Sequence, residues 1–148
     1  MIRVQLQAFD PGAELAALKA GRNEIGASAL FVGSVRDVSA GRDIQAMTLE
    51  HYPGMTEAAL AAIEAEALAR WPISASLIIH RYGELQPGED IVLVITCSAH
   101  REAAFQACQF LMDWLKTKAP FWKLEAGSQG ADWVAAKPSD DEAADRWS

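Results

Sequence analysis

SASLIIHRYGELQPGEDIVLVITC, residues 74–97, decides the fold class. Two apolar runs, 74–82 and 91–97, are separated by GELQPGED, in which Gly83, Pro87 and Gly88 supply turn chemistry. That pattern predicts two strands joined as a hairpin. Immediately after it, Ala104, Ala107, Cys108, Leu111, Trp114 and Leu115 recur at helical spacing, so the spacing predicts a long helix from Ser98 to about Thr117. Ala119-Pro120 follows its end.

Working outward, residues 2–9 alternate Ile2, Val4, Leu6 and Ala8 with Arg3, Gln5 and Gln7, the period-two mark of a half-buried strand. Asp10 and Pro11 start a short helix that exits at Gly21. ASALFVGSVR, 27–36, reads as a buried strand, the loop after it turns at Gly41, and 45–52 is the next strand. Leu60, Ile63, Ala67, Leu68 and Trp71 define a second long helix, with Thr56 as candidate N-cap and Pro72 as stop. FWKLEA and ADWVAA, separated by GSQG, predict a closing hairpin, and PSDDEAADRWS is an acidic tail over 138–148, a solvated end or a short helix anchored by Trp147. Strands in hairpins and two long helices without βαβ alternation predict a single α+β domain, 1–148, with a mainly antiparallel sheet.

The 148 residues carry 13 Lys+Arg and 20 Asp+Glu, a formal charge of −7, which opposes generic nucleic-acid binding. Cys97 and Cys108 lack CxxC spacing and nearby histidine clusters, which predicts buried, unpaired thiols and no metal site. MIRVQLQAFD has no charged leader followed by a long apolar run, and no stretch reaches membrane-span length, so the expectation is a soluble, cytoplasmic protein with no membrane partner.

Three constellations carry chemistry. KTKAPFWK, 116–123, holds Lys116, Lys118 and Lys123 and no acid. At a helix C-terminus Lys116 and Lys118 also favour the macrodipole. Lys123 escapes that reading, since strand alternation sets it opposite Trp122 and Leu124. Clustered ammonium groups lower one another's pKa or bind an anion. Ser98-Ala99-His100-Arg101 stands at a strand-to-helix junction, as an anion site or as an ordinary cap with solvated neighbours. Gly33-Ser34-Val35-Arg36 ends a strand with an arginine able to clamp an oxyanion. His51 and His80 read as core or surface histidines.

TLEHYPGMTEAAL at 48–60, HREAAF at 100–105, LKTKAPFWKLE at 115–125, FVGSVRD at 31–37 and HRYGELQPGEDIVLV at 80–94 together resemble the catalytic (large) subunit of molybdopterin synthase, in that family's order. The resemblance implies an α/β hammerhead fold and a sulfurtransferase of molybdenum cofactor biosynthesis. Such an enzyme converts cyclic pyranopterin monophosphate, precursor Z, into the dithiolene molybdopterin. Each sulfur comes from the C-terminal Gly-Gly thiocarboxylate of a small ubiquitin-like carrier subunit. It further implies a homodimer flanked by two small subunits as a heterotetramer, with no cofactor or metal. Carried over by position, the essential lysines are Lys116 and Lys123. The substrate-binding positions are Ser34, Val35, Arg36, His100, Arg101, Lys116, Lys123, Leu124 and Glu125. Leu124 departs from the family, where a basic residue is common. Two other readings stay open: a non-enzymatic module docking a ubiquitin-like tail, and a phosphate-binding enzyme without a protein partner.

Overall fold

The computed structural model describes residues 1–39, 41–127, 130–134 and 138–147, with side chains described for these except at 39, 42, 125, 127, 130–134 and 138–140. The elements are β1 Ile2–Gln5, α1 Pro11–Lys19, β2 Ala27–Ser34, β3 Val38–Ser39, β4 Arg42–Asp43, β5 Ala46–His51 and α2 Met55–Arg70. They continue as β6 Ile73–Arg81, β7 Gly83–Leu85, β8 Asp90–Ser98, α3 Arg101–Thr117, β9 Phe121–Gly127, β10 Gly130–Val134 and α4 Pro138–Asp145.

One four-stranded sheet has the order β1-β6-β8-β2 and a second the order β10-β9-β5-β7, with β3 and β4 forming a two-stranded ribbon. All described pairings are antiparallel except β1 with β6. The architecture is therefore mixed α+β, with open sheets.

The central hairpin explains the core. β6 and β8 are buried on both faces, which is why their sequences are nearly continuous apolar runs rather than alternating ones. Side-chain alternation sends Ile78, Val92 and Val94 toward Leu60, Ile63 and Ala67 of α2 and toward Ala104, Leu111 and Leu115 of α3. Leu77, Ile79, Leu93 and Ile95 go to the other face, covered by Phe9, Leu15, Leu18 and Ile25 around α1. Asp10 caps α1, its Oδ1 accepting from the Ala13 amide at 3.2 Å. The tail helix is held by Trp147, whose Nε1 donates to Asp113 Oδ2 at 2.6 Å while its ring meets Trp71 and Phe110 edge-on.

Four expectations need correction. β2 is not a buried strand: it lies at the sheet edge, and Leu30, Phe31 and Val32 are 39%, 38% and 37% exposed. An apolar run signals burial, but not whether the chain's own neighbours provide it. The helix expected from Ser98 begins at Arg101 with His100 as N-cap, because Ser98 still belongs to β8 and its hydroxyl donates to the Pro72 carbonyl at 2.7 Å. Thr56 is not the N-cap of α2; Gly54 is, at φ +86°, and the buried Thr56 hydroxyl donates to Tyr52 O at 2.8 Å and accepts from Tyr52 N at 3.1 Å. The first strand stops at Gln5 rather than residue 9. In the closing hairpin, β9 pairs with β10, while Ser128, Gln129, Ala135 and Ala136 lie outside the described residues.

Candidate active site

The loop 86–89 sets the first part of the site. Glu89 Oε2 accepts from the Gln86 amide at 2.6 Å, and this bond holds the Glu89 carboxyl below the usual range. The same loop grips Val35 from both sides, with Val35 N donating to Glu89 O at 2.9 Å and Gly88 N donating to Val35 O at 2.7 Å. The Val35 side chain is buried in the core. Arg36, next along the chain, is exposed, and the Ser34 hydroxyl donates to Asp90 Oδ1 at 2.7 Å. Arg81 stiffens the base of this corner: its Nε donates to Leu6 O at 3.1 Å and its guanidinium to Asp90 O at 3.0 Å.

One lysine arrives from the end of α3 and the other from the second sheet. Lys116 is exposed in the last turn of α3, the chain reverses through Ala119-Pro120, and β9 begins at Phe121. Phe121 and Lys123 are two residues apart on a strand and share a face, opposite Trp122 and Leu124. Phe121 stacks on the His80 imidazole, centroids 3.8 Å apart and planes 15° apart. His80 Nδ1 is 2.9 Å from the Arg81 carbonyl and donates to it, so Nε2 carries the lone pair. His80 is 7% exposed. Burial pushes its pKa from 6.5 down to about 4; the bond to the Arg81 carbonyl opposes this, and the charges of Lys123, Lys116 and His51 add to it. The imidazole is thus neutral near pH 7 and lies within electrostatic reach of both lysines.

Strand register joins the two parts. Gly33 pairs with Val92, and Val92 pairs with His80, so the end of β2 carrying Ser34 and Arg36 is the end of the sheet where His80 lies within electrostatic reach of Lys116 and Lys123. A Cβ on Gly33 would stand 2.7 Å from Val92 Cγ1, which explains why a glycine precedes Ser34. Lys118 goes elsewhere. It sits two residues, about 200° of helical rotation, past Lys116, and lines a groove with Ile63, Glu66, Arg70, Phe110 and Trp147. Helical geometry therefore divides the lysine cluster that the sequence groups together.

His100 and Arg101 are not brought to this corner. Ala27 pairs with Ser98 and Ser34 with Asp90, so they stand at the opposite end of β2. Seven strand residues correspond to about 23 Å, and the fifteen residues from Arg101 to Lys116 along α3 to about 22 Å. Both are exposed, and His100 makes no side-chain capping bond. Leu124 is half-buried on the face away from Lys123, in register with Thr48 and Trp133. Glu125 pairs with Met47, and its side chain is outside the described residues.

The residue missed from sequence is His80. Its signal was present as a polar ring directly after the run SASLII, but alternation alone does not show which charges act on it across the sheet. Among the described residues no group of His, Cys, Asp and Glu is arranged to hold a metal ion, and Cys97 and Cys108 are buried free thiols. No described helix is long and apolar enough to cross a membrane.

Residues 4–118 match the family model described as MoaE protein. The chain is 58% identical over 146 residues to the molybdopterin synthase catalytic subunit of Pseudomonas aeruginosa, covering 99% of this chain and 97% of that protein. The solved molybdopterin biosynthesis MoaE protein of Burkholderia ambifaria is similar over 99% of this chain and 97% of its own, at 53% identity and a TM-score of 0.84. A likeness of fold alone, at 21% identity and a TM-score of 0.73, extends over 93% of this chain and 90% of a chain in the complex of subunits 1 and 2 of the molybdopterin-converting factor from Helicobacter pylori.

Proposed function

The chain belongs to the MoaE family, and on that premise we propose that Lys116 and Lys123 form its catalytic pair, with Arg36 holding the substrate phosphate beside them. Its reaction is that of the molybdopterin synthase catalytic subunit: precursor Z receives two dithiolene sulfurs from the C-terminal thiocarboxylate of the small ubiquitin-like carrier subunit, its partner in molybdenum cofactor biosynthesis. The observation that supports the residue assignment is that Lys116 and Lys123 both act electrostatically on His80, at the sheet end that also bears Ser34 and Arg36.

The chemistry suits that corner. Both reactants are anions, a thiocarboxylate and a phosphate ester, so a concentration of ammonium and guanidinium groups draws them together and orients them. The thiocarboxylate sulfur bonds to the pterin side-chain carbon as a C–O bond breaks and the departing oxygen takes a proton; water then cleaves the carrier's acyl–sulfur bond, so the carrier leaves as a carboxylate and the sulfur stays on the pterin, with two lysines in one electrostatic cluster to supply the proton and neutralise the tail. Ser34 Oγ, tied to Asp90, orders the backbone that presents Arg36.

His100 and Arg101 enter from a second copy. The β2 edge exposes Leu30, Phe31 and Val32, an apolar strip on a strand with unpaired backbone groups. A two-fold pairing of β2 with the same strand of another copy runs the two antiparallel. The Ala27 end of one then lies beside the Ser34 end of the other, which sets Arg101 of the partner subunit near Arg36. The homodimer and its heterotetramer with two small subunits, the α/β hammerhead description, one domain over 1–148 with an acidic tail, and a cytoplasmic location belong to this same reading. Leu124 and Glu125 line the strand beyond Lys123, with Leu124 lowering the local positive charge relative to a basic residue there.

The test is reconstitution with thiocarboxylated carrier subunit and precursor Z, followed by detection of molybdopterin. A non-enzymatic docking module predicts tail binding without product. A carrier-independent phosphate enzyme predicts no complex with the small subunit.

A further inference from the structure

We propose that His80 is a positioning residue for the sulfur-transfer site: its imidazole, stacked on Phe121 and bonded to the Arg81 carbonyl, fixes the face of β9 that carries Lys123. The inference rests on the reading of Lys123 given above. Three observations support it independently of any titration. The stack at 3.8 Å and 15° is the parallel arrangement in which a ring is held over its whole area, and Phe121 is the residue from which Lys123 follows on the same face. The His80 ring cannot rotate freely, because Nδ1 is committed to the Arg81 carbonyl, and Arg81 is itself clipped to Leu6 O and Asp90 O. Phe121 also neighbours His51, its partner in strand register, with centroids 5.9 Å apart, and His51 in turn lies 4.5 Å from the Tyr82 ring and 3.0 Å from the Thr56 hydroxyl through its Nδ1.

Phe121 is therefore in ring contact with two imidazoles, one from the first sheet and one from the second, so the two sheets meet at this residue. A neutral ring suits the place, since a cation there would repel both ammonium groups and displace the side chain it is meant to hold. A displacement near 1 Å in a positioning contact costs turnover rather than affinity.

The experiment compares His80→Asn, which keeps a donor for Arg81 O and loses the stack, with His80→Phe, which keeps the stack and loses the donor. Turnover is measured per folded protein with the thiocarboxylated carrier subunit and precursor Z. In parallel, the acylation rate of Lys123 against that of exposed Lys118 is mapped by peptide mass spectrometry. Expected is a kcat about tenfold lower in His80→Asn with KM within about twofold, a Lys123/Lys118 acylation ratio changed at least about twofold, and recovery of most of both losses in His80→Phe. Folded His80→Asn with wild-type kcat and an unchanged ratio overturns the proposal, as does a loss equal in both variants. If the acylation ratio behaves as expected while wild-type protein forms no molybdopterin, positioning of Lys123 by His80 stands and the functional reading falls.

Discussion

Lowering the pH should destabilise this protein through His80 in a way that can be separated from every other titrating group. The imidazole is buried, its ring lies against Phe121, and it faces the charges of Lys123, Lys116 and His51, with the Arg81 carbonyl as its hydrogen-bond partner. Its pKa is therefore lowered from 6.5 to about 4 in the folded state. Between these values the unfolded chain binds a proton that the folded chain does not, so stability increases with pH across the window. The contribution is fully present above pH 6.5, falls as the pH drops, and is gone below about 4. The difference of about two and a half pH units, at about 1.4 kcal/mol each, amounts to about 3.5 kcal/mol. His80→Phe removes the titration while keeping an aromatic ring against Phe121. It also loses the bond to the Arg81 carbonyl, costing about 1 kcal/mol independent of pH. The assay is urea unfolding of both proteins at one protein concentration from pH 7.5 to 4.5. Wild type should lose stability faster than the variant by about 1.4 kcal/mol per pH unit below pH 6. Groups common to both proteins contribute to both curves, so the difference between the curves reports on His80. Parallel curves would refute the reasoning, since they would mean that the folded state takes up the proton at His80 as readily as the unfolded chain.

Lys123→Ala should lower single-turnover molybdopterin formation about a hundredfold, roughly 3 kcal/mol, with unfolding little changed, and Lys123→Arg should recover little because a guanidinium does not release a proton near neutral pH. Lys116→Ala should behave similarly, and Lys118→Ala, whose side chain lines the other groove, should stay near wild type; the reverse order would remove the catalytic assignment. Sedimentation should give twice the 16.0 kDa chain mass, and Val32→Lys on the β2 edge should shift it toward monomer. Arg36→Ala and Arg101→Ala dimers, each inactive, should regain about a quarter of the wild-type sites after unfolding and refolding together, because half the random pairs are mixed and each mixed pair has one intact site; no recovery would place both arginines in one chain's site. Gly33→Ala should cost about 1–3 kcal/mol, read by the same urea assay, because the added carbon meets the branched, buried Val92 at 2.7 Å.

Much of this molecule was legible in the linear chain because local periodicity reports local structure. The apolar runs of β6 and β8, the helical stripe of α3, the turn at Gly83 and Gly88, and the cap at Asp10 all follow from backbone geometry and side-chain size. Five ordered sequence blocks point to the family, and that resemblance sets the proposed lysine pair at Lys116 and Lys123. Tertiary structure alone decided what those residues meet. Strand register, which no local pattern encodes, brings His80 to the same sheet end as Arg36 and leaves His100 and Arg101 at the far end of β2. Helical rotation splits Lys116 from Lys118, although they are two residues apart. Edge position turned the apolar strand 27–34 from a buried strand into an exposed one, since burial depends on which element packs alongside and not on the strand's own composition. A histidine that looked like core filling became the contact between two sheets for the same reason: its neighbours come from Arg81, Phe121 and Lys123, and only folding places them around it.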